Sequence, residues 1–121
     1  MKIGKFGVYA ATAAVALLSA TPAFAHAKLV SSSPAANAAV AAPRTITLTF
    51  SEKVVPAFSS FEVVMTGHDM KVPVNTAVSK DGKTITGTLQ GRVMPGAYKV
   101  VWAIASSDGH RMTGEVPFRV R

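Results

Sequence analysis

Arg44-Thr45-Ile46-Thr47-Leu48-Thr49-Phe50 alternates apolar residues with threonine at a period of two. Successive side chains of a strand point to opposite faces, so this pattern describes a strand buried on one side only. The same pattern recurs outward from it. Lys83-Thr84-Ile85-Thr86-Gly87-Thr88-Leu89 alternates again, and Phe61 to Met65 is rich in β-formers. Tyr98, Val100, Trp102 and Ile104 fall on one face of a further strand, with Lys99 and Val101 on the other. Val116, Phe118 and Val120 alternate with Pro117, Arg119 and Arg121, and Lys28–Ser32 and Lys71–Val78 supply two more strands. Turn residues separate these runs at Ser33-Pro34, Pro43, Asp81-Gly82, Pro95-Gly96 and Asp108-Gly109. Ala35–Ala42, alanine-rich between two prolines, reads as loop. About seven short strands with regular turns predict an all-β fold, a single immunoglobulin-like Greek-key β-sandwich.

Residues 1–25 stand apart from this pattern. Lys2 and Lys5 precede an uncharged apolar run, Val8 to Leu18, and the segment ends Ala23-Phe24-Ala25. That is the layout of a secretory signal peptide with a small-x-small cleavage site. The run is too short to span a bilayer, which takes about 20 residues. The expected organisation is therefore a leader over 1–25 and one exported domain over 26–121. Removing the leader leaves 96 residues with a net charge of +5, against +7 for the whole chain. The basic residues are scattered and not interleaved with aromatics, so no nucleic-acid partner is expected. The reading is of a monomer. There is no cysteine, which excludes disulfides, thiolate metal sites and thiol nucleophiles. No HExxH motif, glycine-rich phosphate loop or supported Ser-His-Asp set is present.

Histidine occurs only at positions 26, 68 and 110. Cleavage after Ala25 makes His26 the first residue, and its α-amine and ring Nδ1 can then chelate one metal ion. A free α-amine has a pKa of about 7.7–8.0, so a metal can displace its proton near neutral pH. A second histidine would complete a three-nitrogen set suited to Cu(II), which favours tetragonal N,O coordination. Ser106-Ser107-Asp108-Gly109-His110 offers that histidine. In an extended segment Asp108 and His110 would face the same side, and Asp108 would bind axially or orient an imidazole. The bland alternative is a turn with a solvated histidine. Met65-Thr66-Gly67-His68-Asp69-Met70 holds two thioethers and an imidazole, a soft set for Cu(I), or simply a hairpin loop. Met94 and Met112 read as core filler. Glu52 follows the first strong strand and lies near a metal or caps the strand end.

His26-Ala27-Lys28-Leu29-Val30-Ser31-Ser32-Ser33-Pro34, Leu48-Thr49-Phe50-Ser51-Glu52, Pro95-Gly96-Ala97-Tyr98-Lys99-Val100-Val101-Trp102, Ser106-Ser107-Asp108-Gly109-His110 and Thr113-Gly114-Glu115-Val116-Pro117-Phe118 occur in this order. Together they resemble the CopC family of periplasmic copper-binding proteins. The resemblance implies a Greek-key β-sandwich with one Cu(II) per chain in a histidine brace. His26 would give amine and ring nitrogens, His110 a third nitrogen and Asp108 an oxygen, with Glu52 behind them. It implies a non-catalytic carrier or buffer in copper resistance and homeostasis, paired with an inner-membrane CopD-like transporter. The methionine-rich stretch of some members is short here, so a Cu(I) site at Met65, His68 and Met70 is not expected. The competing reading is a copper-dependent oxygenase-like enzyme using the same brace.

Overall fold

The computed structural model describes residues 27–121. The leader expected over 1–25 and the candidate ligand His26 lie outside the described residues. Nine strands and one 3-10 turn make up the fold: β1 Leu29–Ser33, β2 Ala39–Val40, β3 Thr45–Phe50, the turn Pro56–Phe58, β4 Ser60–Met65, β5 Met70–Val72, β6 Val74–Val78, β7 Thr84–Leu89, β8 Gly96–Ala105 and β9 Arg111–Val120. They form two sheets, one ordered β1-β3-β7-β6 and the other β2-β9-β8-β4-β5. The all-β sandwich expected from the alternation is the observed fold.

The core lies between the sheets. Ile46, Leu48 and Phe50 of β3 and Ile85 and Leu89 of β7 are buried from one side, and Phe61, Val63, Tyr98, Val100, Trp102, Ile104, Val116, Phe118 and Val120 from the other. Thr45, Thr47 and Thr49 pair across the outer face with Thr88, Thr86 and Thr84. Aromatic contacts link the layers and strands: Phe50 meets the edge of Trp102 at 5.2 Å, and Tyr98 stacks on Phe118 at 5.7 Å. Such pairs add about 0.5–1.5 kcal/mol beyond their burial. Trp102 lies over Gly114, its direct partner on β9. A Cβ at Gly114 would stand 2.3 Å from the indole ring, so only glycine lets the ring settle there.

Three details differ from the sequence reading. The single strand expected over Lys71–Val78 is two. Pro73 lacks the N–H a ladder needs, and there the chain leaves the larger sheet at Val72 and enters the smaller at Val74. The alanine-rich segment read as loop contains β2, which pairs in parallel with the end of β9, Ala39 with Arg119 and Val40 with Val120. Alanine's low β-propensity hides a strand made by a long-range partner. These two changes raise the count from about seven strands to nine. The last strand also begins earlier than Val116, at Arg111, because the whole of β9 pairs with β8.

Candidate metal centre

β8 and β9 form the longest hairpin, and its loop carries the Ser106–His110 segment. The Ser106 N–H donates to the His110 carbonyl at 2.9 Å and the Gly109 N–H to the Ser106 carbonyl at 2.9 Å. This is a tight turn, in which Gly109 has φ +91°, a conformation that side chains other than glycine's rarely adopt. The expectation that Asp108 and His110 share one side of an extended segment is corrected: they meet because the chain reverses between them. Asp108 Oδ2 lies 2.9 Å from His110 Nδ1. Its Oδ1 accepts the Ser106 hydroxyl and, at 3.1 Å, the His110 backbone N–H. The Ser106 hydroxyl first, then the His110 N–H and imidazole, hold the Asp108 carboxyl well below the usual carboxylate range. The pair is an oriented carboxylate and imidazole, and both side chains stay exposed to solvent.

No third His, Cys, Asp or Glu among the described residues joins this pair to make a metal-holding group. What approaches this end is the segment leading into β1. Ala27 is fully buried. The Lys28 N–H donates to Ser51 Oγ at 2.9 Å and the Ser51 N–H to the Lys28 carbonyl at 2.8 Å. Three residues on, Val54 bridges to Ser106, and the Val55 N–H donates to the Ala105 carbonyl at 2.8 Å. The entry into β1 and the β8–β9 loop are thus at one end of the sandwich, linked by the Ser51–Val55 segment. Glu52, half-buried, lies in that linking segment.

His68 lies elsewhere. β4 runs antiparallel to β8, with Met65 opposite Tyr98 and Ser60 opposite Ala103. The turn carrying exposed His68 therefore adjoins the start of β8, about 30 Å from its end at about 3.3 Å per residue. Sequence reasoning misplaced one methionine. Met94 is 55% exposed rather than core, and with Met65 and Met70 it lines a cavity of about 360 Å³ beside Tyr98. Met112 does pack against the core. The missed signal is that Met94 directly precedes Pro95 and the turn into β8, opposite the Met65–Met70 turn.

Residues 29–121 match the CopC domain. The chain belongs to the CopC family. The copper resistance protein C of Xanthomonas campestris pv. juglandis is 42% identical over 112 residues, covering 88% of each chain. Its namesake from Pseudomonas syringae pv. tomato is 42% identical over 114 residues, covering 89% of this chain and 90% of the relative. The crystal structure of PcoC, a methionine-rich copper resistance protein from Escherichia coli, superposes with a TM-score of 0.72 at 38% identity, covering 80% of this chain and all of that one. The CopC domain here thus carries its Asp108–His110 pair on a β-sandwich shared with proteins named for copper resistance.

Proposed function

We propose that this CopC domain is a non-catalytic periplasmic Cu(II) carrier or buffer that acts in copper resistance and homeostasis. Its ligands are the amine and Nδ1 of His26, a nitrogen of His110 and an oxygen of Asp108. The observation that carries the reading is the Asp108–His110 contact at the end of the sandwich where the chain enters β1. Two adjacent ligands of a tetragonal ion, each bound at about 2.0 Å, stand about 2.8 Å apart. Asp108 Oδ2 and His110 Nδ1, joined here by a hydrogen bond, stand 2.9 Å apart, close to that spacing. Asp108 Oδ1, tied to Ser106 and the His110 N–H, fixes the carboxylate as outer hydrogen bonds fix metal ligands.

Residue 26 immediately precedes buried Ala27 at that same end, which is why His26 is the third contributor. The reading requires removal of residues 1–25, since only then does His26 carry a free amine. Glu52 stands behind the ligands rather than among them. Asp108 close to the ion would occupy or block the position that an oxygenase keeps open, which favours a carrier over an oxygenase. Handover to an inner-membrane CopD-like transporter follows from the same reading. Protons compete for the amine and both imidazoles, so retention of Cu(II) falls as the medium is acidified.

Equilibrium dialysis of the exported protein against a weak chelator, with intact mass before and after copper, tests the proposal. One Cu(II) on a chain beginning at His26 is the expected result. A chain that retains no copper overturns the reading, and sustained consumption of oxygen and reductant on a glycan moves it to the enzyme class.

A second reading rests on the groove where Met65, Met70 and Met94 meet. Three thioethers suit Cu(I), and a reduced ion released from the nitrogen and oxygen ligands could be taken there. Competition with a Cu(I) chelator under anaerobic reducing conditions tests it. Met94→Leu is expected to weaken Cu(I) retention and leave Cu(II) retention unchanged.

A further inference from the structure

β6 closes one side of the smaller sheet, with β7 its only strand neighbour among the described residues. The Ser79 N–H donates to the Thr84 carbonyl and the Gln90 N–H to the Pro73 carbonyl. In an antiparallel ladder the bonded pairs alternate, so odd-numbered residues of β6 face β7. The N–H and C=O groups of Val74, Thr76 and Val78 consequently point away from the sheet. Thr76, Ala77 and Val78 line a cavity of about 500 Å³ with the Pro56–Phe58 turn, Ser59, Ser60, Ala103 and Arg111. No residue of β6 itself is charged and Pro73 stands only at its entry, although edge strands are commonly guarded by charge or proline.

Phe58, 60% exposed, and Arg111 line a second cavity as well. That cavity, about 390 Å³, is bounded by Val55, Ala105, Ser106, Ser107 and Gly109. The two cavities share Phe58 and Arg111 in their walls, and together they extend from the β6 edge to the loop that holds Asp108 and His110. Arg111 is the one charged side chain lining either cavity and makes no salt bridge among the described residues.

We propose that the groove from β6 to the β8–β9 loop docks an extended acidic segment of a partner polypeptide, which adds a strand to β6. The outward backbone groups of Thr76 and Val78 supply the main-chain hydrogen bonds. Phe58 gives an apolar anchor, and Arg111 meets a carboxylate on the incoming segment. The net charge of +5 outside the leader favours the approach of an acidic partner. A strand seated there ends beside the proposed metal loop, so the groove would align a partner for copper exchange. This role rests on the proposed function; the docking itself does not.

The experiment uses the ¹⁵N-labelled protein freed of metal with EDTA and a blocked nonapeptide of alternating valine and glutamate. A counterpart with lysine in place of glutamate is the control. Backbone shifts are expected at Thr76, Val78, Phe58 and Arg111, with the acidic peptide binding about tenfold tighter than the basic one. Phe58→Ser should weaken binding about fivefold with an unchanged circular dichroism spectrum. Arg111→Glu should reverse the preference between the peptides. Shifts absent at millimolar peptide, shifts confined to other edges, or equal affinity for both peptides would each overturn the proposal. So would protection of β6 that rises with protein concentration alone, which would assign the edge to a second copy of the chain. His110→Ala lines neither cavity and should keep peptide binding while losing copper, so failure of the metal reading and failure of the docking reading give different results.

Discussion

At the scale of single residues, the chemistry is concentrated in one turn. Asp108, Gly109 and His110 are three consecutive residues whose positions are set by the hydrogen bonds of Ser106. His110→Ala removes one nitrogen from the proposed ligands and should lower Cu(II) retention in dialysis by more than tenfold, about 1.4 kcal/mol or more, with no change in circular dichroism. His68→Ala, at the far end of β8, should leave retention nearly unchanged. The reverse order would show that the ion sits elsewhere. A different carboxylate gives a pH prediction free of the metal. Asp81 accepts the Ser79 hydroxyl at 2.5 Å and the Lys83 N–H at 3.1 Å, and these bonds, the hydroxyl first, hold its pKa below the ordinary value. The folded form thus favours the carboxylate. Its stabilising contribution is complete above the ordinary Asp value, about 3.9, and disappears as the pH falls through the lower folded value. The difference in Tm between the wild type and Asp81→Asn should be present at pH 7 and shrink below about pH 4. A difference that grows with acid would refute the assignment.

At the scale of elements, period-two alternation was a strong guide because one face of each long strand is buried. Ile46, Leu48 and Phe50 face inward as their spacing requires, and so do Tyr98, Val100, Trp102 and Ile104. What the sequence concealed were features created by partners far along the chain. β2 exists only through Arg119 and Val120, and the break at Pro73 is a change of sheet rather than a gap in β-propensity. The histidine–aspartate pairing was legible as types and spacing, yet not as geometry, since an i, i+2 pair meets differently in a strand and in a turn. The close packing of Trp102 on Gly114 was likewise invisible in the alternation. It gives a prediction at this scale. Gly114→Ala places a Cβ 2.3 Å from the indole, and the overpacking should cost about 1–3 kcal/mol. For a domain of this size each kcal/mol lowers Tm by about 4–8 °C. An unchanged thermal melt would mean the ring moves aside freely.

At the scale of the whole molecule, the sandwich has two chemically distinct ends. One holds the entry to β1, the Ser51–Val55 segment and the Asp108–His110 turn; the other holds the Met65–Met70 turn and Met94. The Asp108–His110 pair occupies one pole and Met65, Met70 and Met94, with His68 in the same turn, the other, a division that linear spacing could not reveal because β8 must be crossed to see it. The dependence on a free amine that the proposed ligand set entails would be a property of the whole processed chain. Adding one glycine before His26 should abolish tight Cu(II) binding while leaving the melting temperature of the metal-free protein unchanged. Copper retention by the extended form, measured in the same dialysis, would remove His26 from the ligands.

The pairing that ties the Arg121 N–H to the Val40 carbonyl at 2.8 Å fixes where any following polypeptide departs. β9 carries the chain about 30 Å from the hairpin loop at about 3.3 Å per residue. A tether, dye or affinity handle fused after Arg121 therefore hangs from the pole remote from His110, and the protein can be immobilised by that end with its proposed copper grip turned toward the solution.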